Sequence, residues 1–162
     1  MPTVIHRFDS VEAFPVIGSL SSAGAAVETS LAGAGESAHL VVKIARRVGT
    51  TGPLDVGIAL PPRAVIGVVE RLTLDVVMGH GVCRIGLDIE DGTTGPQRLT
   101  FDAADLRGLG SCTIDLQDRA VRTVQCHRIT IMMDELCDAV RLGLVALSFS
   151  GDARIGPAEM AG

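Results

Sequence analysis

Charged side chains recur at alternate positions of three short segments and could together bind a polar or acidic ligand. In segment 83–90 every odd position is apolar and every even position is charged or glycine, so in an extended chain the charged residues share one side. Segments 97–102 and 125–133 contain similar alternation. Arginines and carboxylates form charge-assisted hydrogen bonds, so a sheet joining these segments would carry a binding face. The candidate ligand-binding residues are Arg84, Asp88, Glu90, Arg98, Asp102 and Arg128.

The same residues have a simpler interpretation as ion pairs between neighbouring strands on a solvated face. Each such pair contributes roughly 0.2–1 kcal/mol. The alternating segment 72–76 would add Thr73 and Asp75 to this surface if its strand lies beside the others. The sequence leaves open whether the face binds a ligand or only contacts water.

Other residues with reactive side chains have weaker patterns. Cys126 and His127 are adjacent, so in a strand they point to opposite faces and cannot form a nucleophile–base pair. His80 and Cys83 could supply two metal ligands, but no second pair follows at a zinc spacing. The GxGxxA pattern at 33–38 would suit a dinucleotide only between a strand and a long helix, and the rest of the chain does not alternate in that way.

The elements that must position these residues are short strands separated by turn sequences. Alternation of apolar and polar residues, with turns every 8–12 residues, favours an antiparallel sandwich. Residues 142–147 are apolar on both faces and predict a central strand. Region 18–37 predicts loop and weak strand, and 134–139 predicts one short helix beginning at Asp134. Strands are predicted at 38–46, 54–60, 70–78, 82–90, 97–102, 110–116, 125–133, 141–150 and 153–160.

Length and composition limit the architecture and the partners. The 162 residues favour one domain spanning 1–162, large enough to form a core without disulfides or metal. Hydrophobic residues make up 47%, but Trp and Tyr are absent and Phe occurs four times, so the core must be aliphatic. The formal net charge of -5 argues against nucleic acid as the partner. No apolar run is long enough for a transmembrane helix.

The terminus and the cysteines bear on the compartment. The first residues lack the charged and apolar regions of a secretory signal. The four cysteines contain no CxxC pair and are too sparse for a disulfide scaffold. Together these features predict a cytoplasmic protein if the chain is complete. They leave the compartment open if the chain is one domain of a longer secreted protein.

Four stretches of the chain form a recognisable order. They are an opening motif at 8–10, a proline segment at 60–63 before a long strand at 70–76, a central hairpin at 88–92 and 99–102, and a closing strand at 150–157. This order resembles the galactose-binding-like jelly roll of carbohydrate-binding modules and covers most of residues 8–160. The resemblance implies an all-β, antiparallel jelly-roll β-sandwich, with at most one short helix, and a saccharide ligand.

The chain departs from this family at two kinds of site. Members often hold calcium between an acidic residue near the opening motif and an aspartate of the last strand, which makes Asp9 and Asp152 weak calcium candidates here. Gly156 and Pro157 stand where that aspartate is expected, and calcium requires six to eight oxygen ligands. No cofactor is therefore expected. Sugar-binding members also stack sugars on Trp or Tyr, which this chain lacks.

These observations predict a non-catalytic binding or assembly module that engages a saccharide or a protein partner through an exposed sheet face or its loops. A high apolar content with few aromatic residues suits burial against another subunit, so a homo-oligomer is expected. The alternative is a small β-sandwich or barrel enzyme acting on a hydrophobic metabolite. Its cavity would be lined by Met78, Met132 and Met133.

Overall fold

The computed structural model describes residues 2–17, 24–80, 84–91, 95–101, 108–116 and 122–156. Within these ranges the chain forms strands connected by turns, with one 3₁₀ turn at Gly35–Ser37. No described helix is long and apolar enough to cross a membrane. The strands are β1 (Thr3–Arg7), β2 (Val16–Ile17), β3 (Ala25–Ala32), β4 (His39–Arg46), β5 (Leu54–Ala59), β6 (Ala64–Val68), β7 (Arg71–His80), β8 (Arg84–Asp91), β9 (Gly95–Phe101), β10 (Gly108–Asp115), β11 (Arg122–Met133), β12 (Ala139–Ser150) and β13 (Ala153–Gly156).

The strands form two antiparallel sheets. The first sheet has the order β10-β7-β12-β4-β3, and β1 pairs with the end of β12 that β4 leaves free. In the second sheet β9 pairs with β8 and β8 with β11. The other edge of β11 pairs with β5 and β6, which are flanked by β2 and β13. The chain therefore passes back and forth between two sheets, and most paired strands are distant in sequence. This topology confirms the predicted β-sandwich jelly roll.

The core lies between the sheets and is filled by one side of each strand. In β8, Ile85, Leu87 and Ile89 are at most 1% exposed, whereas Arg84 and Glu90 are exposed. Aliphatic side chains from the other strands complete the same cluster, together with all four phenylalanines. The aliphatic core expected from the composition is therefore present. Burial of its apolar surface supplies the main driving force for folding.

Strand β12 is an interior strand, as residues 142–147 predict. It pairs with β7 along one edge and with β4 and β1 along the other. Its outward-facing Gly143 is also buried, because the ring of His39 covers it: a Cβ at this position would lie 2.6 Å from the Cδ2 atom of His39. Coverage on both faces explains why this segment lacks polar alternation.

The short helix predicted at 134–139 is absent, and a turn connects β11 to β12. The backbone N–H of Leu136 donates to Oδ1 of Asp134 over 2.9 Å, so the aspartate stabilises a turn. The Arg46 guanidinium donates to the backbone oxygens of Asp134 and Cys137, over 2.9 and 3.2 Å. Because Arg46 binds these carbonyl oxygens and β12 already begins at Ala139, the residues between β11 and β12 do not form a helix.

The turn at 33–38 connects two antiparallel strands, β3 and β4. A dinucleotide motif requires a strand followed by a helix in a parallel sheet, so this pattern does not mark a nucleotide site. Gly33 has a φ of 76°, a left-handed conformation that favours glycine. The two glycines of the pattern are therefore explained by the turn.

Candidate functional site

The register of the second sheet brings Asp88 directly between two arginines. Asp88 of β8 is opposite Arg98 of β9 and opposite Arg128 of β11. Its neighbours in sequence, Leu87 and Ile89, are buried in the core, so Asp88 must point to the outer face. The alternation noted in the sequence and the antiparallel pairing together place the three charged side chains in one row across the sheet.

The Asp88 carboxylate accepts hydrogen bonds from Arg98 and Thr130 and forms an ion pair with Arg128. Arg98 donates from Nε to Oδ1 over 2.6 Å and from Nη2 to Oδ2 over 3.3 Å. Arg128 Nε lies 2.9 Å from Oδ2, and Thr130 Oγ1 donates to the same oxygen over 3.2 Å. We call these four residues the Asp88 cluster. The hydrogen bond to Asp88 raises the pKa of Arg98 above its usual value.

In the Asp88 cluster the two arginine side chains are partly exposed, whereas the carboxylate of Asp88 is largely covered. The Asp88 side chain is 15% exposed, whereas those of Arg98 and Arg128 are 41% and 42% exposed. The carboxylate therefore fixes the orientation of two guanidinium groups that are partly exposed, and Nη1 of Arg98 lies 4.0 Å from Sδ of Met132. A ligand reaching this face would meet hydrogen-bond donors that are already oriented.

Two glycines allow the arginine side chains to lie along the sheet surface. A Cβ at Gly86 would lie 3.1 Å from Cδ of Arg98 and 3.2 Å from Cε of Met132. A Cβ at Gly57 would lie 3.4 Å from Cδ of Arg128. Because neither position carries a side chain, the aliphatic parts of the arginines and Met132 lie close to the backbone of the sheet. They form an apolar surface beside the polar groups. Thr130, Met132 and the two glycines were not predicted as part of this site, although Thr130 and Met132 share the even-numbered face with Arg128.

A second polar pair extends the same surface. His127 Nε2 lies 3.2 Å from Oε2 of Glu90, with both side chains about half exposed. The register of β11 shifts between Cys126 and Arg128, and this bulge turns His127 outward. Cys126 points into the core, where burial raises the pKa of its thiol to about 12. The two residues therefore face apart, as expected, and the thiol is unreactive.

The structure brings together some of the predicted ligand-binding residues but not all. Asp88, Arg98 and Arg128 are in direct contact, and Glu90 follows two residues later on β8. Arg84 is exposed at the other end of β8, opposite Met132. Asp102 lies outside the described residues.

Thr73 and Asp75 do not belong to this face, so the prediction that they share it is wrong. Their strand, β7, lies in the first sheet, between β10 and β12. Asp75 accepts a hydrogen bond from Ser111 of β10. Alternation assigned these residues to an outer face correctly, but two sheets have two outer faces.

The calcium candidates occupy different surroundings. Asp9 follows β1 and lines a pocket that also contains Arg7 and Arg63. Asp152 lies in the turn before β13, where its backbone oxygen accepts from Val68 N–H over 3.0 Å. Among the described residues no three His, Cys, Asp or Glu side chains are grouped to hold a metal ion. Calcium binding stays a prediction. The His80–Cys83 pair involves side chains outside the described part of the chain.

The two described methionines do not share the cavity expected for an enzyme acting on a hydrophobic metabolite. Met132 lies on the outer face of the second sheet, beside Gly86. Met133 is 1% exposed and belongs to the core. The Met78 side chain lies outside the described residues. The two described methionines therefore serve different faces of β11 and line no common pocket.

His6 is a buried histidine that the sequence did not distinguish. It is 3% exposed, and its ring contacts Phe14 edge to face with centroids 5.9 Å apart. Burial, together with the positive charge of Arg63, lowers the pKa of His6 from 6.5 to about 4. At neutral pH the imidazole is therefore uncharged.

We expect His6 to make the fold sensitive to acid. The unfolded chain binds a proton at His6 more readily than the folded chain, so this contribution to stability is complete above pH 6.5 and is lost as the pH falls towards 4. Because the ring borders a pocket, we expect the loss to be about 1–2 kcal/mol. Urea unfolding at pH 7 and 4.5 should show a smaller difference for His6→Gln than for the wild type. An equal difference in both proteins would contradict this, and His127→Gln is the exposed control.

The architecture is similar to that of several solved carbohydrate-binding modules. A family 11 carbohydrate-binding module from Clostridium thermocellum, solved with a β-1,3-1,4-mixed-linked tetrasaccharide, matches at a TM-score of 0.56 and 14% identity, covering 93% of this chain and 95% of that one. The family 11 module of the C. thermocellum cellulase Lic26A-Cel5E matches at 0.55 and 14%, covering 94% and 95%. A structure described as explaining the promiscuous specificity of carbohydrate-binding modules of the β-sandwich superfamily matches at 0.54 and 12%, covering 91% and 62%.

These likenesses confirm the predicted fold. At 12–14% identity they show a jelly roll of the carbohydrate-binding-module type and nothing finer. No protein-family model matches the chain, and no curated protein matches it.

Proposed function

We propose that this chain is a non-catalytic carbohydrate-binding module and that its saccharide lies across the outer face of the second sheet, on the Asp88 cluster. The observation that carries the proposal is the shielded Asp88 carboxylate, which orients two half-exposed guanidinium groups. The fold supports it, since a similar module was solved with a bound tetrasaccharide.

The chemistry of the Asp88 cluster suits sugar hydroxyl groups. Each guanidinium carries five N–H donors, and the contacts to Asp88 use Nε of both arginines and Nη2 of Arg98. The remaining N–H groups can donate to hydroxyl oxygens. Orienting a flexible side chain on binding costs about 0.5–1.5 kcal/mol. Because Asp88 orients both arginines before the ligand binds, this loss of side-chain entropy does not weaken binding.

The apolar contacts that sugar rings make must come from aliphatic groups here. The chain contains no Trp or Tyr, so no such ring is present for a sugar to stack on. Met132 and the arginine methylenes, lying against Gly86 and Gly57, provide the low apolar surface instead. Polar contacts compete with water, so we expect weak binding, with a Kd of about 0.1–1 mM.

Isothermal titration with the β-1,3-1,4-mixed-linked tetrasaccharide tests the proposal. We expect saturable binding by the wild type and a loss of at least about tenfold in affinity for Arg128→Gln, because one oriented donor group is removed. The matched control is Arg141→Gln, an exposed arginine of β12 in the first sheet, which should leave the affinity unchanged. Equal affinities for all three proteins, or no binding at millimolar saccharide, would overturn the proposal.

A further inference from the structure

A pocket of about 350 Å³ lies away from the Asp88 cluster, beside β1. Its walls come from β1, the turn that follows it and the proline loop between β5 and β6. This volume falls within the ~300–1,000 Å³ range of small-molecule sites. The lining residues are Val4, Ile5, His6, Arg7, Asp9, Ala13, Phe14, Pro61 and Arg63.

One of the pocket-lining residues has a buried polar atom without a protein partner. His6 Nε2 is buried and makes no hydrogen bond within the described part of the chain. A buried donor or acceptor left unpaired costs about 1–3 kcal/mol, so such atoms usually mark a place that receives a partner from outside the protein. His6 is a pocket-lining residue and 97% of its surface is covered.

The charged residues of the pocket favour an anionic group. Arg7 and Arg63 carry two positive charges, and Asp9 carries the opposing negative charge. Arg63 is held in place, because its Nη1 donates to the backbone oxygen of Ile5 over 2.8 Å. Its Nη2 and Nε atoms can therefore form the two-pronged contact that guanidinium groups make with carboxylates.

The pocket also has apolar lining residues. Phe14 is 3% exposed and packs on Phe8, with ring centroids 4.6 Å apart. Pro61 and Ala13 are further apolar residues of the lining. The pocket therefore combines two arginines and a histidine with apolar side chains, and a ligand complementary to it has one acidic group on a small apolar body.

We infer that this pocket is a second binding site, which takes a small organic acid: the carboxylate contacts Arg7, Arg63 and the Nε2–H of His6, and the apolar body packs against Phe14 and Pro61. His6 contributes a donor without a charge, and the arginines supply the charge. This site is independent of saccharide binding, since it shares no residue with the Asp88 cluster.

Benzoate is the probe for this site, with benzamide and benzylamine as neutral and cationic analogues of similar shape. The chain has four histidines, so the ring C–H resonances of His6 can be assigned with His6→Gln. We expect benzoate to shift the His6 resonances saturably, to leave those of His39 and His127 in place, and to raise the pKa of His6, because a bound carboxylate stabilises the imidazolium ion. Benzamide and benzylamine should bind at least about tenfold more weakly.

Variants separate a carboxylate site from incidental contact. Arg63→Gln and Arg7→Gln should each weaken benzoate binding at least about tenfold, while Arg154→Gln in β13 should not. Because Arg63 also contacts Ile5, Arg7→Gln keeps the test valid if Arg63→Gln fails to fold. Equal binding of benzoate and benzamide, tighter binding of benzylamine, or no His6 shift at millimolar benzoate would each overturn the inference. None of these results would count for or against the proposed binding of the tetrasaccharide to the Asp88 cluster.

Discussion

Replacing Asp88 with alanine should weaken binding of the mixed-linked tetrasaccharide at least about tenfold and lower the free energy of unfolding by about 1–2 kcal/mol. The carboxylate holds Arg98 through charge-assisted hydrogen bonds and Arg128 through an ion pair. Without it two neighbouring positive charges repel each other and their side chains lose their common orientation. The stability effect is modest because both arginines are about 40% exposed, so solvent screens the interaction.

Calorimetric titration and urea unfolding measure the two effects of Asp88→Ala separately. Asp138→Ala is the matched control, because the Asp138 side chain is 90% exposed and its ion pair with Arg46 spans 3.8 Å. The control should change neither quantity appreciably. If Asp88→Ala bound the saccharide as tightly as the wild type, the Asp88 cluster would be only a structural ion-pair network.

Replacing the adjacent Leu87 with alanine should lower the stability of the fold strongly and leave the saccharide affinity almost unchanged. Leu87 is fully buried and lies opposite Ile129 of β11 and Leu99 of β9, which are also buried. The cavity left by removing its side chain should cost about 2–5 kcal/mol. For a chain of this length that corresponds to a fall in Tm of roughly 4–20 °C.

Binding by Leu87→Ala provides the contrast with Asp88→Ala. Below the Tm of the variant the Asp88 cluster keeps its register, because Leu87 faces the core rather than the ligand. The tetrasaccharide affinity should therefore stay within about twofold of the wild type. Scanning calorimetry and titration at 15 °C check both values. A Tm within 2 °C of the wild type would contradict the core position of Leu87, and a lost affinity in the folded variant would contradict the separation of the two faces.

Asp88, Arg98 and Arg128 could each be assigned to the outward face of a strand because period-two alternation is a local signal. Asp88 and Arg98 belong to strands that follow one another, and a hairpin makes consecutive strands neighbours. Arg128 joined them because β11 pairs with β8 across more than thirty residues, which alternation does not reveal. The same lack of long-range information caused the error for Thr73 and Asp75, whose strand lies in the other sheet.

The strands themselves were predicted best where one face is buried in the core and the other contacts solvent. Strands β1 and β6 were not anticipated. Ala64–Val68 is almost wholly apolar and contains a glycine, and Thr3–Arg7 is short and contains a bulge. The helix expected at 134–139 failed for another reason, since the backbone oxygens of Asp134 and Cys137 are bound by Arg46, far away in sequence.

The pocket beside β1 had no sequence signal at all. His6 looked like any isolated histidine, and its burial depends on Phe14 and on a loop that ends at Arg63. The three segments meet only through tertiary packing. Sites formed by a single residue from each of several segments are therefore found in the structure and not in the pattern of the chain.

The most direct test of saccharide binding on the Asp88 cluster is to observe the arginine Nε–H resonances in a ¹⁵N-labelled sample during titration with the tetrasaccharide. Arg98 and Arg128 should shift together and saturate, because their guanidinium groups contact both Asp88 and the sugar. Arg141 and Arg154, which lie elsewhere, should not move. Saturable shifts confined to arginines outside the Asp88 cluster would show that the saccharide binds another surface, and no shift at any arginine would contradict the proposed function.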